Sequence, residues 1–129
     1  MPRAVISREE ISEGNKHYSA LYIDTKNAIL VLLSEGEEQL GTLAASVPST
    51  IGLGAQPVFS SILLGDRNMT TARMMAERLA AKTGKISLVS VFLKTVDETV
   101  ATPILVRLFK KVTAAATTGN NSKEEKAAT

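Results

Sequence analysis

The sequence contains no cysteine, and its aromatic residues make up only 4% of the chain. Without cysteine there is no disulfide framework, no thiol nucleophile, no cysteine-based zinc site and no iron–sulfur cluster. The fold must therefore be held together by its apolar core. A chain of 129 residues is long enough for this, because a domain of that size buries roughly two-thirds of its unfolded surface.

Neither a dominant charge nor a long apolar run is present. The chain has fifteen basic and thirteen acidic residues and therefore a net charge of +2. This excess of basic residues is too small for a surface that binds nucleic acid. The longest purely apolar stretch, Ala28–Leu33, is far shorter than the roughly 18 residues of a membrane span. The N-terminus also lacks the apolar core of a signal peptide. We therefore expect a cytoplasmic protein with neither nucleic acid nor membrane as a partner.

The first half of the chain has the patterns of β-structure. Strands are expected at His17–Ile23, Ala28–Leu33 and Gln39–Val47, forming an antiparallel meander, with a weaker candidate near Ala4–Ser7 or Ile11–Ser12. Ala28–Leu33 is apolar at every position, which is typical of a central strand buried on both faces.

The second half alternates strands and helices. We expect a strand at Val58–Leu64, a helix from Met69 to Gly84 capped by Asn68 or Thr70, and a strand at Ile86–Leu93. A second helix is expected to open at Thr102–Pro103. The apolar stripes of the two helices are Ala72, Met75, Ala76, Leu79 and Ala80, then Ile104, Leu105, Leu108, Phe109 and Val112.

This order predicts an α+β fold, with a mostly antiparallel sheet and two helices packed on one of its faces. From Thr117 onward the only apolar residues are alanines. We therefore expect one domain over residues 1–116, followed by a disordered tail over 117–129.

The sequence shows no catalytic, cofactor-binding or metal-binding group, and we expect no enzyme. His17 is the only histidine, too few for a histidine-rich metal site, and no serine lies in a Gly-x-Ser-x-Gly elbow. The segment 36–42 has the spacing of a phosphate-binding loop but carries threonine in place of lysine, so we interpret it as a hairpin turn. The clustered carboxylates are expected to be solvated, and they lie at Glu9, Glu10, Glu13, Glu35, Glu37, Glu38, Asp97 and Glu98.

Two segments are candidate partner-binding sites. Ser49–Pro57 contains two glycines and two aliphatic residues that look exposed, and it is either a contact segment or a plain connection. The outer face of the second helix is basic, and it is either a docking surface for an acidic protein or a solvated face. The predicted partner-binding residues are Ile51, Leu53, Gln56, Phe59, Arg107, Lys110 and Lys111.

A further pattern runs from one strand into the helix that follows. Ser61-Ile62-Leu63-Leu64-Gly65-Asp66, then Thr70-Thr71, then Arg78-Leu79-Ala80-Ala81-Lys82-Thr83 resembles the proteasome assembly chaperone 4 family. The resemblance covers Val58 to about Val112 well and carries no catalytic residue.

The resemblance implies a non-enzymatic chaperone with a six-stranded, mostly antiparallel sheet. It also implies a heterodimer with a sister subunit similar to proteasome assembly chaperone 3. That heterodimer would bind proteasome α subunits, the fifth α subunit among the candidates, promote α-ring assembly of the 20S core and then be released. The compartments implied are cytoplasm and nucleus. The alternative from a different functional class is a small trafficking or signalling adaptor with a roadblock- or longin-like fold.

Overall fold

The computed structural model describes residues 4–48 and 59–118. They form one six-stranded sheet and two helices, which confirms the α+β class. The strands and helices, in chain order, are β1 (Val5–Glu13), β2 (Lys16–Asp24), β3 (Ala28–Glu35), β4 (Thr42–Val47), β5 (Phe59–Leu64), α1 (Met69–Thr83), β6 (Ile86–Phe92) and α2 (Glu98–Thr118).

The last strand lies in the middle of the sheet. The strand order is β1-β2-β3-β6-β4-β5, so β6 is inserted between β3 and β4. It pairs with β3 in parallel, whereas the other four strand pairs are antiparallel. The two weak candidate strands near the N-terminus are parts of one strand, β1.

The predicted meander is therefore wrong at its third strand. β4 pairs with β6 and β5, and segment 36–41 is not a hairpin turn but a crossover that passes the end of β6. Gly41 makes this close passage possible, because a Cβ there would lie 2.2 Å from the Val91 carbonyl oxygen. The strongly apolar β6 takes the position beside β3 that the predicted meander assigned to β4.

Helix α1 has the predicted limits but a different N-terminal cap. Asn68 occupies the N-cap position, yet its side chain makes no capping hydrogen bond. Instead, the Thr71 N–H and the Thr71 hydroxyl both donate to Glu98 Oε2, at 3.2 and 2.7 Å. At the other end, the Gly84 N–H donates to the Ala80 carbonyl at 2.9 Å, as expected of a C-terminal glycine.

Helix α2 begins four residues before the predicted Thr102. Asp97 caps it, because its Oδ2 accepts from the Thr99 N–H at 3.0 Å. This aspartate outweighs the Thr-Pro signal, and Pro103 lies inside the helix. The helix runs to residue 118, two residues past the predicted domain boundary. Residues 119–129 of the predicted tail lie outside the described residues.

The core lies between one face of the sheet and the two helices. Helix α1 packs on β4, β5 and β6, and α2 packs on β1, β2 and β3. Every residue of both predicted helical stripes is buried. Within residues 4–48 and 59–118, no helix is long and apolar enough to cross a membrane.

Candidate protein-binding surface

The sheet has apolar side chains on both faces, but the helices cover only one of them. In β3, Ile29, Val31 and Leu33 point toward the helices and are fully buried. The side chains between them, including Leu30 and Leu32, alternate to the opposite face and are only half-buried. We call this second surface the open face.

The central part of the open face is a row of uncharged residues that crosses all six strands. Because paired residues on neighbouring strands share a face, the strand registers place these side chains next to one another. In spatial order the row is Ile6, Ile23, Leu30, Leu88, Ala45 and Ser61.

Large apolar side chains toward the β5 side of the open face are strongly exposed. Phe59 is 78% exposed, and Val47, directly opposite it in β4, is 60% exposed. Leu63 in β5 is 55% exposed. A contiguous apolar surface of this kind marks an interaction site in a water-soluble protein.

Charge on the open face is found at the β1 side. Arg8 and Glu10 lie in β1, and His17 lies in the adjoining strand. His17 Nε2 is 2.6 Å from Glu10 Oε1, and Ser12 Oγ is 3.2 Å from His17 Nδ1. This is the order of a serine–histidine–acid triad. However, Glu10 is 64% exposed, and a catalytic triad buries its acid, so we assign these contacts to cross-strand pairing.

Among the residues that the structure describes, Glu35 is the one deeply buried carboxylate; it lies at the end of β3 and is 9% exposed. Its Oε1 accepts from the backbone N–H groups of Lys94, Thr95 and Val96 at 2.8–3.0 Å, and its Oε2 accepts from the Thr95 hydroxyl. Burial alone would raise the pKa of Glu35, but these hydrogen bonds outweigh it and lower the pKa to about 2. The expectation that Glu35 is solvated was wrong.

Glu35 therefore holds the loop that leads from β6 into α2. Lys16 Nζ lies 4.0 Å from its Oε2 and donates to the Thr95 hydroxyl at 2.7 Å. A polar depression of about 310 Å³ adjoins this cluster. Since both carboxylate oxygens already accept hydrogen bonds, the group serves to fix the loop. Within the described part of the chain, no three His, Cys, Asp or Glu residues are grouped so as to hold a metal ion.

The predicted partner-binding residues do not form one surface in the described structure. Phe59 lies on the open face, in β5. Arg107, Lys110 and Lys111 lie on α2, which packs over the other face of the sheet near β1. Ile51, Leu53 and Gln56 lie outside the described residues, so their role stays a prediction.

Two of the three α2 cations are paired within the chain. Arg107 Nη2 is 2.7 Å from Glu13 Oε1, and Lys111 Nζ is 3.5 Å from Glu9 Oε1. Lys110 is exposed and has no ion pair among the residues that the structure describes. The basic face of α2 is therefore partly neutralised by the acidic strand beneath it.

Sequence reasoning missed most of the open face. Leu30, at its centre, belongs to the stretch that the sequence predicts to be buried on both faces. The signal was present, since Ala28–Leu33 is apolar at every position while residues 4–48 and 59–118 contain only two long helices. Within the described residues, the two helices on one face leave the other face of the sheet uncovered.

Two comparisons with known proteins identify what this chain is similar to. The family model for proteasome assembly chaperone 4 matches residues 17–93, more than half of the chain. In the crystal structure of a chaperone complex for yeast 20S proteasome assembly, one chain is similar with a TM-score of 0.66 and 16% identity, over 89% of this chain and 96% of that one. At this identity, the likeness shows the fold. No curated protein matches the sequence.

Proposed function

Because this chain belongs to the proteasome assembly chaperone 4 family, we propose that it acts without catalysis, as half of a heterodimer with a related small chaperone. The heterodimer binds proteasome α subunits, promotes formation of the α ring of the 20S core and then leaves. The observation that carries this proposal is the open face, an apolar sheet surface that no described part of the chain covers.

The open face is suited to a second sheet. Two sheets pack face to face at about 10 Å when each presents an apolar surface, and the row through Leu30 and Leu88 is such a surface. Arg8 and Glu10 lie at one side of it, so charge is kept from the centre of the contact, as in stable protein interfaces. A sister chaperone with the same kind of sheet is the partner that this shape favours.

With the sister on the open face, contact with an α subunit falls to other parts of the surface. We assign it to the exposed cations of α2, with Lys110 the least neutralised, and to Ile51, Leu53 and Gln56, which lie outside the described residues. A modest and partly polar contact of this kind permits release once the ring has formed. We propose the cytoplasm and the nucleus as the compartments, and the family favours this role over that of a trafficking or signalling adaptor.

Two matched variants test the proposal. Val47→Asp places a carboxylate on the open face, and Val100→Asp places one on α2, at a valine that is exposed to nearly the same extent (60% and 62%). Each tagged protein is expressed in eukaryotic cells and captured, and the recovered proteins are measured by quantitative mass spectrometry. The unmodified chain is expected to recover one small sister chaperone and α-type subunits without mature β subunits.

Val47→Asp is expected to lower recovery of the sister by about tenfold or more, because an unpaired carboxylate would be buried in the contact. Val100→Asp is expected to leave sister recovery unchanged. Equal recovery of the sister by both variants would exclude the open face as the interface. Recovery of GTPases or coat proteins in place of proteasome subunits would overturn the proposed function.

A further inference from the structure

The two edge strands of the sheet, β1 and β5, differ in how well they are protected from pairing with another strand. At the β1 edge, Lys111 Nζ donates to the backbone carbonyl of Glu10 at 3.1 Å, and Arg107 pairs with Glu13. β1 also carries four charged residues, Arg8 among them. Charges and contacts of this kind prevent another strand from pairing with an exposed edge.

The β5 edge is less protected than the β1 edge. On its helix side, the Ser60 hydroxyl accepts from Arg73 Nε at 3.0 Å and donates to Glu77, but β5 itself offers little obstacle to pairing. Its sequence, Phe59–Leu64, contains no charged residue and no proline. No strand lies beyond it in the described parts of the chain. An uncharged edge strand with exposed apolar side chains is a template for strand pairing.

We propose that β5 pairs with β5 of a second copy of this chain, antiparallel and about a two-fold axis at Ser61. In this register, Phe59 of each copy lies beside Leu63 of the other copy on the open-face side. It also sets Ser60 opposite Ile62 and Ser61 opposite its own counterpart. The register joins the two sheets with their helices on the same side, because residues paired across the axis lie on the same face of each sheet.

Self-pairing fits the chemistry of this edge. Phe59 and Leu63 are the exposed apolar residues that such a register covers, and β5 itself brings no charge to the axis. The contact is short, since a register shift between β4 and β5 leaves Leu63 as an extra residue in β5. We therefore expect a weak and concentration-dependent dimer. This inference does not depend on the proposed function, because it rests on the unpaired backbone edge of β5, although the side chains of Phe59, Ser61 and Leu63 lie on the open-face side.

A chain without cysteine allows a direct test by cross-linking. Ser61 is exposed, and opposite residues of an antiparallel pair have Cα atoms about 4.5–5.5 Å apart, within the range of a disulfide. Ser61→Cys is expected to form a covalent dimer at least about tenfold faster than Ser12→Cys, a matched exposed serine in the β1 edge. Oxidation is followed on the purified full chain by non-reducing electrophoresis.

Sedimentation equilibrium gives the second measurement. Unmodified protein at roughly 10–500 µM is expected to show reversible dimerisation, and Ser61→Lys is expected to abolish it by placing two like charges on the axis. Equal cross-linking of the two cysteine variants would overturn the proposal. So would a monomer throughout this concentration range, or a dimer that Ser61→Lys leaves intact. Because Ser61 also lies on the open face, Ile6→Asp, at an exposed open-face position in β1, serves as the control. It is expected to leave the β5 dimer intact, and loss of the dimer in this variant would show that the dimer forms through the open face.

Discussion

Replacing Glu35 with glutamine tests the inference that this carboxylate fixes the loop between β6 and α2. Glutamine keeps the shape of the side chain but removes the charge. Its amide nitrogen also cannot accept a hydrogen bond from the Thr95 hydroxyl. The loop N–H groups of Lys94, Thr95 and Val96 would then face a weaker acceptor.

The magnitude follows from the pKa of Glu35. A carboxyl whose pKa falls from 4.5 to about 2 on folding contributes about 3 kcal/mol to the free energy of unfolding at neutral pH. Because the pKa is lowered in the folded protein, this contribution is present above pH 4.5 and is lost as the pH falls toward 2. Glu35→Gln is expected to lose most of it at pH 7.

Urea unfolding followed by circular dichroism, at pH values from 2 to 7, measures both effects. The unmodified chain is expected to lose stability between pH 4.5 and 2 more steeply than Glu35→Gln does. Glu37→Gln, at an exposed position two residues away, serves as the control and is expected to change stability by less than about 0.5 kcal/mol. A loss below about 1 kcal/mol for Glu35→Gln, or an unchanged pH dependence, would refute the reasoning.

Two further substitutions test close contacts in the fold, each by urea unfolding at neutral pH. Gly65 and Gly36 have similar φ values of 91° and 87°, but only at Gly65 would a Cβ collide, 2.4 Å from Thr42 Oγ1. Gly65→Ala is expected to cost at least about 2 kcal/mol more than Gly36→Ala, and equal losses would contradict the collision. Thr71→Val removes the hydroxyl that donates to Glu98 and is expected to cost about 1–2 kcal/mol. Unchanged stability would show that this contact between the helices contributes nothing.

Local patterns predicted most of the elements, because each depends on residues close in sequence. The apolar spacing of α1, from Ala72 to Ala80, defines a buried stripe whatever the rest of the chain does. The start of α2 was missed because Thr102–Pro103 and Asp97 are competing start signals. Strand order could not be predicted in the same way, since the pairing of β6 with β3 joins residues more than 50 positions apart.

The site was predictable only in part. Phe59 stood out as an aromatic residue beside a glycine-containing segment, and it is the most exposed large apolar side chain in the described structure. The role of Glu35 could not be inferred, because its partners lie about 60 residues away. The open face itself is a property of the whole sheet. It can be recognised only when the fold shows that both helices pack on the same side of the sheet.

The central position of β6 has a consequence for how the protein is made. During synthesis β1–β3 and β4–β5 are translated first, as two separate antiparallel units. Their apolar edge strands, β3 and β4, stay unpaired until β6 has been translated. The sheet closes only when Ile86–Phe92 leaves the ribosome and enters the gap. Nascent chains that stall before that point keep two bare edges and are the species most prone to aggregate. This assembly factor thus depends, in its own biogenesis, on translation well past Phe92.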